Sequence, residues 1–229
     1  MSAGGIDFYL ADYAQDGDLV GVISGGGEGD DLAVAIAGCA DGSVFVVGAF
    51  DGELSLGGAA LWAEAQGEQD VFAAKYADDR RPVWLRTVGG SGRVSAVAVA
   101  ATDECEAIVG GWFEGTATFG GDGGEDAAWS VAAKGSSDGY VVKYDSGGAP
   151  SWLAQFADTG DNVNVSGLAL SMDGSIAVCG HFSGTLDLEG TGLVDSAGAE
   201  DGFVAVLDST GSGAWARRIG GVGTDLLSG

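Results

Sequence analysis

His181 is the single histidine of a chain with 34 Asp and Glu residues and only 9 Lys and Arg. A two-histidine metal motif is out of reach, and the three cysteines form no C-x-x-C pair. No Gly-Lys phosphate loop is present, and GSSDG (135–139), which fits G-x-S-x-G, runs into an apolar strand rather than forming a strand-to-helix elbow. What the carboxylates can do is meet a hard cation. GGEGDDLA (26–33) and GGVGTDLL (220–227) both fit G-G-x-G-x-D, the pattern with which nonapeptide β-helices hold calcium. Asp30, Asp31 and Asp225 are the candidate ligands. The motif recurs once per unit rather than in tandem, and Val94 stands at the Asp place of the second linker. A Gly-rich turn capped by a carboxylate is therefore the competing reading. An enzyme of this composition, such as a lyase or hydrolase, would work with Asp and Glu. Glu53, Glu114 and Asp187 are its unmatched carboxylates, but they fall in insertions, which favours neither reading.

The elements that must position these groups repeat. Asp7, Asp70, Asp138 and Asp201 each open a unit: Asp, an aromatic within two residues, a short apolar strand, a turn and then, in three of the four, Trp. The spacings are 63, 68 and 63 residues, in the range of large β-repeats. Trp84, Trp152 and Trp215 each follow their Asp by 14 residues, while the first copy has Gly21 in that register. LAVAIAG (32–38) alternates large and small residues and reads as an inner strand packed on both faces. Asp41-Gly42 supplies a two-residue hairpin turn, and SVFVVGAF returns. After about twenty further residues DVFAAKY and PVWLRTV supply a third and a fourth strand. The same order recurs downstream, with Asp173-Gly174 repeating the turn.

Radial repetition of four-stranded antiparallel sheets predicts an all-β chain folded as a β-propeller. The phase predicts the outer half of one blade over 7–23, complete blades over 32–88, 94–156 and 165–219, and the start of another at 225–229. Residues 1–229 thus read as a single domain, an incomplete ring whose open edges would seek the remaining blades of a longer chain or associate with one another. GDDLAVAIAGCADGSVFVVGAF followed by DVFAAKYADDRRPVWLRTVGG resembles the bacterial beta-propeller repeat family abbreviated SBBP, over nearly the whole chain. That resemblance implies a ring of about seven blades in surface or exported bacterial proteins and implies no common enzyme activity.

Forty-four Gly against two Pro suit tight turns between short strands. A net charge of −25 repels nucleic acid and anionic membranes. No segment reaches the roughly 20 apolar residues of a membrane span, and the first residues lack the basic start of an export signal. Cys39 and Cys105 fall near hairpin turns, which leaves a bridge between them open although their spacing gives it no support, and Cys179 reads as a core hydrophobe. Strand direction places the linkers, the insertions 51–69, 114–137 and 183–200, and the strand ends at Ala49, Trp112 and His181 on one face. The recurring Trp residues read as core. Trp62, Trp112 and Trp129 do not recur, and together with His181 they are the candidate ligand contacts. The expected function is a non-catalytic scaffold binding protein or glycan at a cell surface or outside the cell. An acidic propeller enzyme and a calcium-stabilised adhesion module are the alternatives.

Overall fold

The computed structural model describes residues 4–58, 60–67, 69–120, 129–157 and 162–228. Residues 121–128 of the second insertion, 158–161 of the third linker and Gly229 at the end of the chain lie outside the described residues. Among the described residues the chain is all-β, with 20 strands in four antiparallel sheets, none of them closed. The first sheet runs in the order Phe8–Tyr13, Leu19–Gly26, Glu53–Leu56, Leu61–Glu64. The second contains Leu32–Gly38, Val44–Phe50, Asp70–Tyr76, Pro82–Gly90, Thr116–Phe119 and Trp129–Ala132. The third contains Val94–Ala101, Ala107–Phe113, Asp138–Tyr144, Pro150–Ala157, Thr185–Leu188 and Val194–Asp195. The fourth ends the series with Val163–Leu170, Ile176–Phe182, Asp201–Leu207 and Gly213–Ile219.

The insertions depart from expectation. Each is a β-hairpin, and each leaves its own unit to pair with the fourth strand of the preceding sheet. Gly25 and Gly26 meet Leu56 and Ser55, Val88 to Gly90 meet Phe119 to Ala117, and Phe156 and Ala157 meet Leu188 and Asp187. Residues 53–64, read from the sequence as part of the 32–88 unit, therefore belong to the first sheet. The local cause is a recurring F-x-G-x-apolar-x-apolar run beginning at Phe50, Phe113 and Phe182. Its glycines Gly52, Gly115 and Gly184 all take positive φ (67°, 64° and 76°), which turns the chain sharply and re-aims it. The apolar pairs that follow, Leu54 and Leu56, Ala117 and Phe119, Leu186 and Leu188, are buried. Every hairpin thus fastens one sheet to the next.

Three cores lie between neighbouring sheets. Phe8, Val46, Phe50, Phe72 and Leu85 join the first sheet to the second; Phe45, Trp84, Val109, Tyr140 and Tyr144 join the second to the third; Val141, Phe156, Val178 and Phe203 join the third to the fourth. The recurring Trp adds a directional contact. The indole N–H of Trp84 donates to the Ser146 carbonyl at 3.2 Å, and that of Trp152 donates to Ser209 at 3.2 Å. Each acceptor lies in the turn before the fourth strand of the following sheet. The ring rests on a glycine of that turn, Gly148 or Gly211, with φ of 86° and 84°.

The first sheet breaks this pattern, and the second sheet compensates. Where Trp would stand the first sheet has Gly21, and where Gly would stand the facing turn has Arg80, at φ 69°. A Cβ on Gly21 would lie 2.8 Å from Arg80 Nε. The guanidinium fills the space of the missing indole and pairs with Asp12 at 2.9 Å.

Candidate functional site

Carboxylates at the strand starts share one bonding pattern. Asp31 Oδ2 accepts the Gly27 N–H at 2.7 Å, Asp70 accepts Gln66 at 2.8 Å, Asp138 accepts Lys134 at 2.9 Å and Asp225 accepts Gly221 at 2.8 Å. Asp201 accepts Ala197 in the same way. Each binds the amide four residues before it, the geometry of a turn capped by a carboxylate. Asp30 instead accepts the Ile6 N–H at 2.9 Å, tying the N-terminal segment to the linker. Asp30 and Asp31 therefore serve the first linker, while Asp225 serves the last. Among the described residues the one set of three or more ligand-type side chains drawn together is Cys39, Asp41 and Cys105. There the two sulfurs are joined to each other.

Asp31 is nevertheless unusual. Its side chain is fully buried (0% exposed), and its Oδ1 has no hydrogen-bond partner. Burial first, and then the charges of Asp7, Asp51 and Asp30, push its pKa up to about 6 against the Gly27 amide, which lowers it. In the folded chain the proton is held more tightly than in the unfolded one. Stability is then greatest below pH 4 as far as this group is concerned, and it declines as pH rises to about 6. The expected decline is up to about 3 kcal/mol. Asp31→Asn should abolish that share of the pH dependence and raise the melting temperature at pH 7. A variant that melts below wild type at pH 7 would show that the ionised carboxylate is favourable.

The structure does not bring the four candidate contacts together. Trp62 lies exposed on the hairpin strand Leu61–Glu64 of the first sheet, paired opposite Ser55. Trp129 lies opposite Phe119 at the outer edge of the second sheet. Trp112 ends the second strand of the third sheet opposite Ser95, and His181 holds the same place in the fourth sheet opposite Asn164. The sequence grouped Trp62 and Trp129 with the linker face because their insertions read as loops; as hairpins they run along the sheet edges instead.

Trp112 lines a cleft of about 970 Å³, with Arg93, Glu114, Asp51, Gln69 and Ser95 around it. The arrangement offers one aromatic face, a guanidinium, two carboxylates, an amide and a hydroxyl. Such a surface stacks on an apolar ring face and bonds many hydroxyls or peptide groups. His181 has a different setting. Its Nδ1 is 3.4 Å from Ser166 Oγ, and its Nε2 is 3.3 Å from Asn164 Nδ2 and 3.5 Å from Glu200 Oε1. These contacts exceed the roughly 2.6–3.2 Å of a nucleophile held against its base, and Asn164 shares Nε2 with the carboxylate. A second cleft of about 550 Å³ opens at the opposite end of the sheets, among the hairpin turns holding Thr102, Glu104, Met172 and Asp173. The sequence assigned nearly all the chemistry to one end, because the Asp-Gly turns carry no conspicuous motif.

Compared with known proteins, the chain matches no protein-family model and no curated protein. The functional reading therefore rests on these residues and on the repeat.

Cys39 and Cys105 are disulfide-bonded, with Cα atoms 5.5 Å apart. They occupy the hairpin turns of the second and third sheets, so the bond fastens one sheet to its neighbour. Cys179 is free and half-buried. No helix is long and apolar enough to cross a membrane among the described residues.

Proposed function

We propose that the four sheets are successive blades of a β-propeller of the SBBP type, part of a ring of about seven blades. In this reading the chain is a non-catalytic module of a bacterial surface or exported protein, a rigid scaffold that binds a protein or glycan ligand at the Trp112 cleft. The observation that carries the reading is the cleft itself: a non-recurring aromatic among Arg93, Glu114, Asp51, Gln69 and Ser95, on a framework whose recurring Trp84 and Trp152 are engaged in packing between sheets. Location outside the cytoplasm is supported by the Cys39–Cys105 bond, since such bonds persist in oxidising compartments. Calcium remains a stabilising partner to be tested rather than a requirement of the reading.

The test is a glycan array and an extracellular-protein binding screen with wild type, Trp112→Ala and Trp62→Ala. Loss of at least about tenfold in affinity is expected for Trp112→Ala, the size of a central aromatic contact, with Trp62→Ala unchanged. A ligand bound equally by all three would remove the cleft from the account. The absence of any ligand would leave a purely structural scaffold.

A further inference from the structure

The contact that joins neighbouring sheets has two halves, and each half is found alone at one end of the series. At the fourth sheet Trp215 stands at the register of Trp84 and Trp152, yet it reaches no turn among the described residues and is 42% exposed. At the first sheet the turn Ala14–Asp18 has the same hydrogen bonds as the receiving turns. Ala14 N–H donates to Asp18 O and Gly17 N–H to Ala14 O, just as Asp145 N–H donates to Ala149 O and Gly148 N–H to Asp145 O. Gly17 has φ 89°, the value of Gly148 and Gly211, but open space lies above it where those two carry an indole.

The surrounding residues match as well. Tyr9 and Tyr13 are 71% and 61% exposed in the first sheet. They occupy the register of Tyr140 and Tyr144, which are buried under the preceding sheet. On the fourth sheet Ile219, four residues after Trp215 on the same strand, is also exposed. Arg217 falls two residues after Trp215, as Arg86 does after Trp84, and Arg86 Nε donates to the Gly148 carbonyl at 2.8 Å. Arg217 is exposed, and the turn it would meet contains Asp16 and Asp18.

We propose that the open face of the fourth sheet docks on the open face of the first sheet of a second copy of this chain, with Trp215 over Gly17 and Arg217 against the Gln15–Asp18 segment. The two faces repeat the outer half of an interface already formed twice within the chain, the first sheet having, among the described residues, no counterpart of Val94–Ala101 and Ala107–Phe113, and Arg217 would face Asp16 and Asp18 although the whole molecule is acidic. The inference rests on reading the sheets as equivalent blades. It is independent of the Trp112 cleft.

The experiment is sedimentation velocity of the full chain over a concentration series, at about 0.15 M salt to screen the overall repulsion. Concentration-dependent species heavier than a monomer are expected for wild type. Trp215→Ala should weaken association at least about tenfold. Arg217→Glu should weaken it too, and mixing Arg217→Glu with an Asp16→Arg variant should restore mixed complexes. Trp215 and Arg217 are exposed, so these variants should fold, which a wild-type melting curve at low concentration would establish. A strictly monomeric wild type would overturn the proposal. So would association weakened equally by Trp62→Ala, an exposed aromatic outside both faces, because that outcome means unspecific adhesion. Failure of Trp112→Ala to affect ligand binding would leave this assembly untouched.

Discussion

Replacing Cys39 by Ala and Cys105 by Ala should lower the stability of the chain by about 4 kcal/mol, the chain-entropy estimate for a bond closing a loop of this length. The two residues are 66 apart in sequence, and the loop they close contains the strands Val44–Phe50, Asp70–Tyr76 and Pro82–Gly90 of the second sheet, the hairpin 53–64 of the first and the first strand of the third. Position matters as much as loop length. Cys105 stands where the equivalent turns of the second and fourth sheets have Gly42 and Gly174, and like them it takes positive φ, 58° against 84° and 82°. Holding a residue with a Cβ there costs on the order of 1 kcal/mol, a cost the folded chain sustains in return for the bond. Exchange to Cys39→Ala with Cys105→Gly should therefore lose less than the double alanine variant, because glycine relieves the turn while the bond is still gone. Urea unfolding with and without dithiothreitol reads both effects. Equal stability of oxidised and reduced wild type would show that the packing of the second sheet on the third is sufficient without the bond.

That bond was legible in the sequence only as an anomaly. Asp41-Gly42 and Asp173-Gly174 mark the hairpin turns of two units, while the intervening unit has Glu104-Cys105 in the same register, a cysteine in a glycine's place. Spacing between cysteines conveys nothing of this, because what brings Cys39 and Cys105 together is the side-by-side stacking of equivalent turns in adjacent sheets. The strands themselves were legible because alternation and Asp-Gly turns act locally. In the structure the strand series begin at Leu32, Val94 and Val163.

The insertion hairpins were missed for a related reason. Their F-x-G-x-apolar-x-apolar runs are only four strand residues long, and their partners belong to another repeat, so no pattern within one unit shows where they pair. At the candidate site the sequence could single out Trp112 and His181 by their failure to recur. It could not show that Trp112 opens onto a cleft while His181 is engaged by Ser166, Asn164 and Glu200, since those neighbours come from other strands.

The recurring Trp residues should differ in their contribution, although one register suggests equal roles. Trp84→Ala should cost about 3–5 kcal/mol, the range for removing a large buried aromatic. Trp84 is 4% exposed, packs 5.7 Å from Phe45 and 6.1 Å from Tyr144 between ring centroids, and donates to Ser146. Its loss leaves a cavity between two sheets that are also clamped by the disulfide, so the walls have little freedom to collapse. Trp84→Phe keeps most of the apolar contact and forfeits the N–H bond, and it should cost less. Trp152 is half-buried and makes the same bond to Ser209, which places Trp152→Ala below Trp84→Ala. Trp215 has no turn over it, and Trp215→Ala should change monomer stability by no more than about 1 kcal/mol, as at other exposed positions. Denaturant titrations at concentrations too low for association give the ranking directly. Equal losses at all three positions would mean that Trp215 is covered in solution as completely as Trp84, and its exposure in the isolated chain would then be the wrong description of its surroundings.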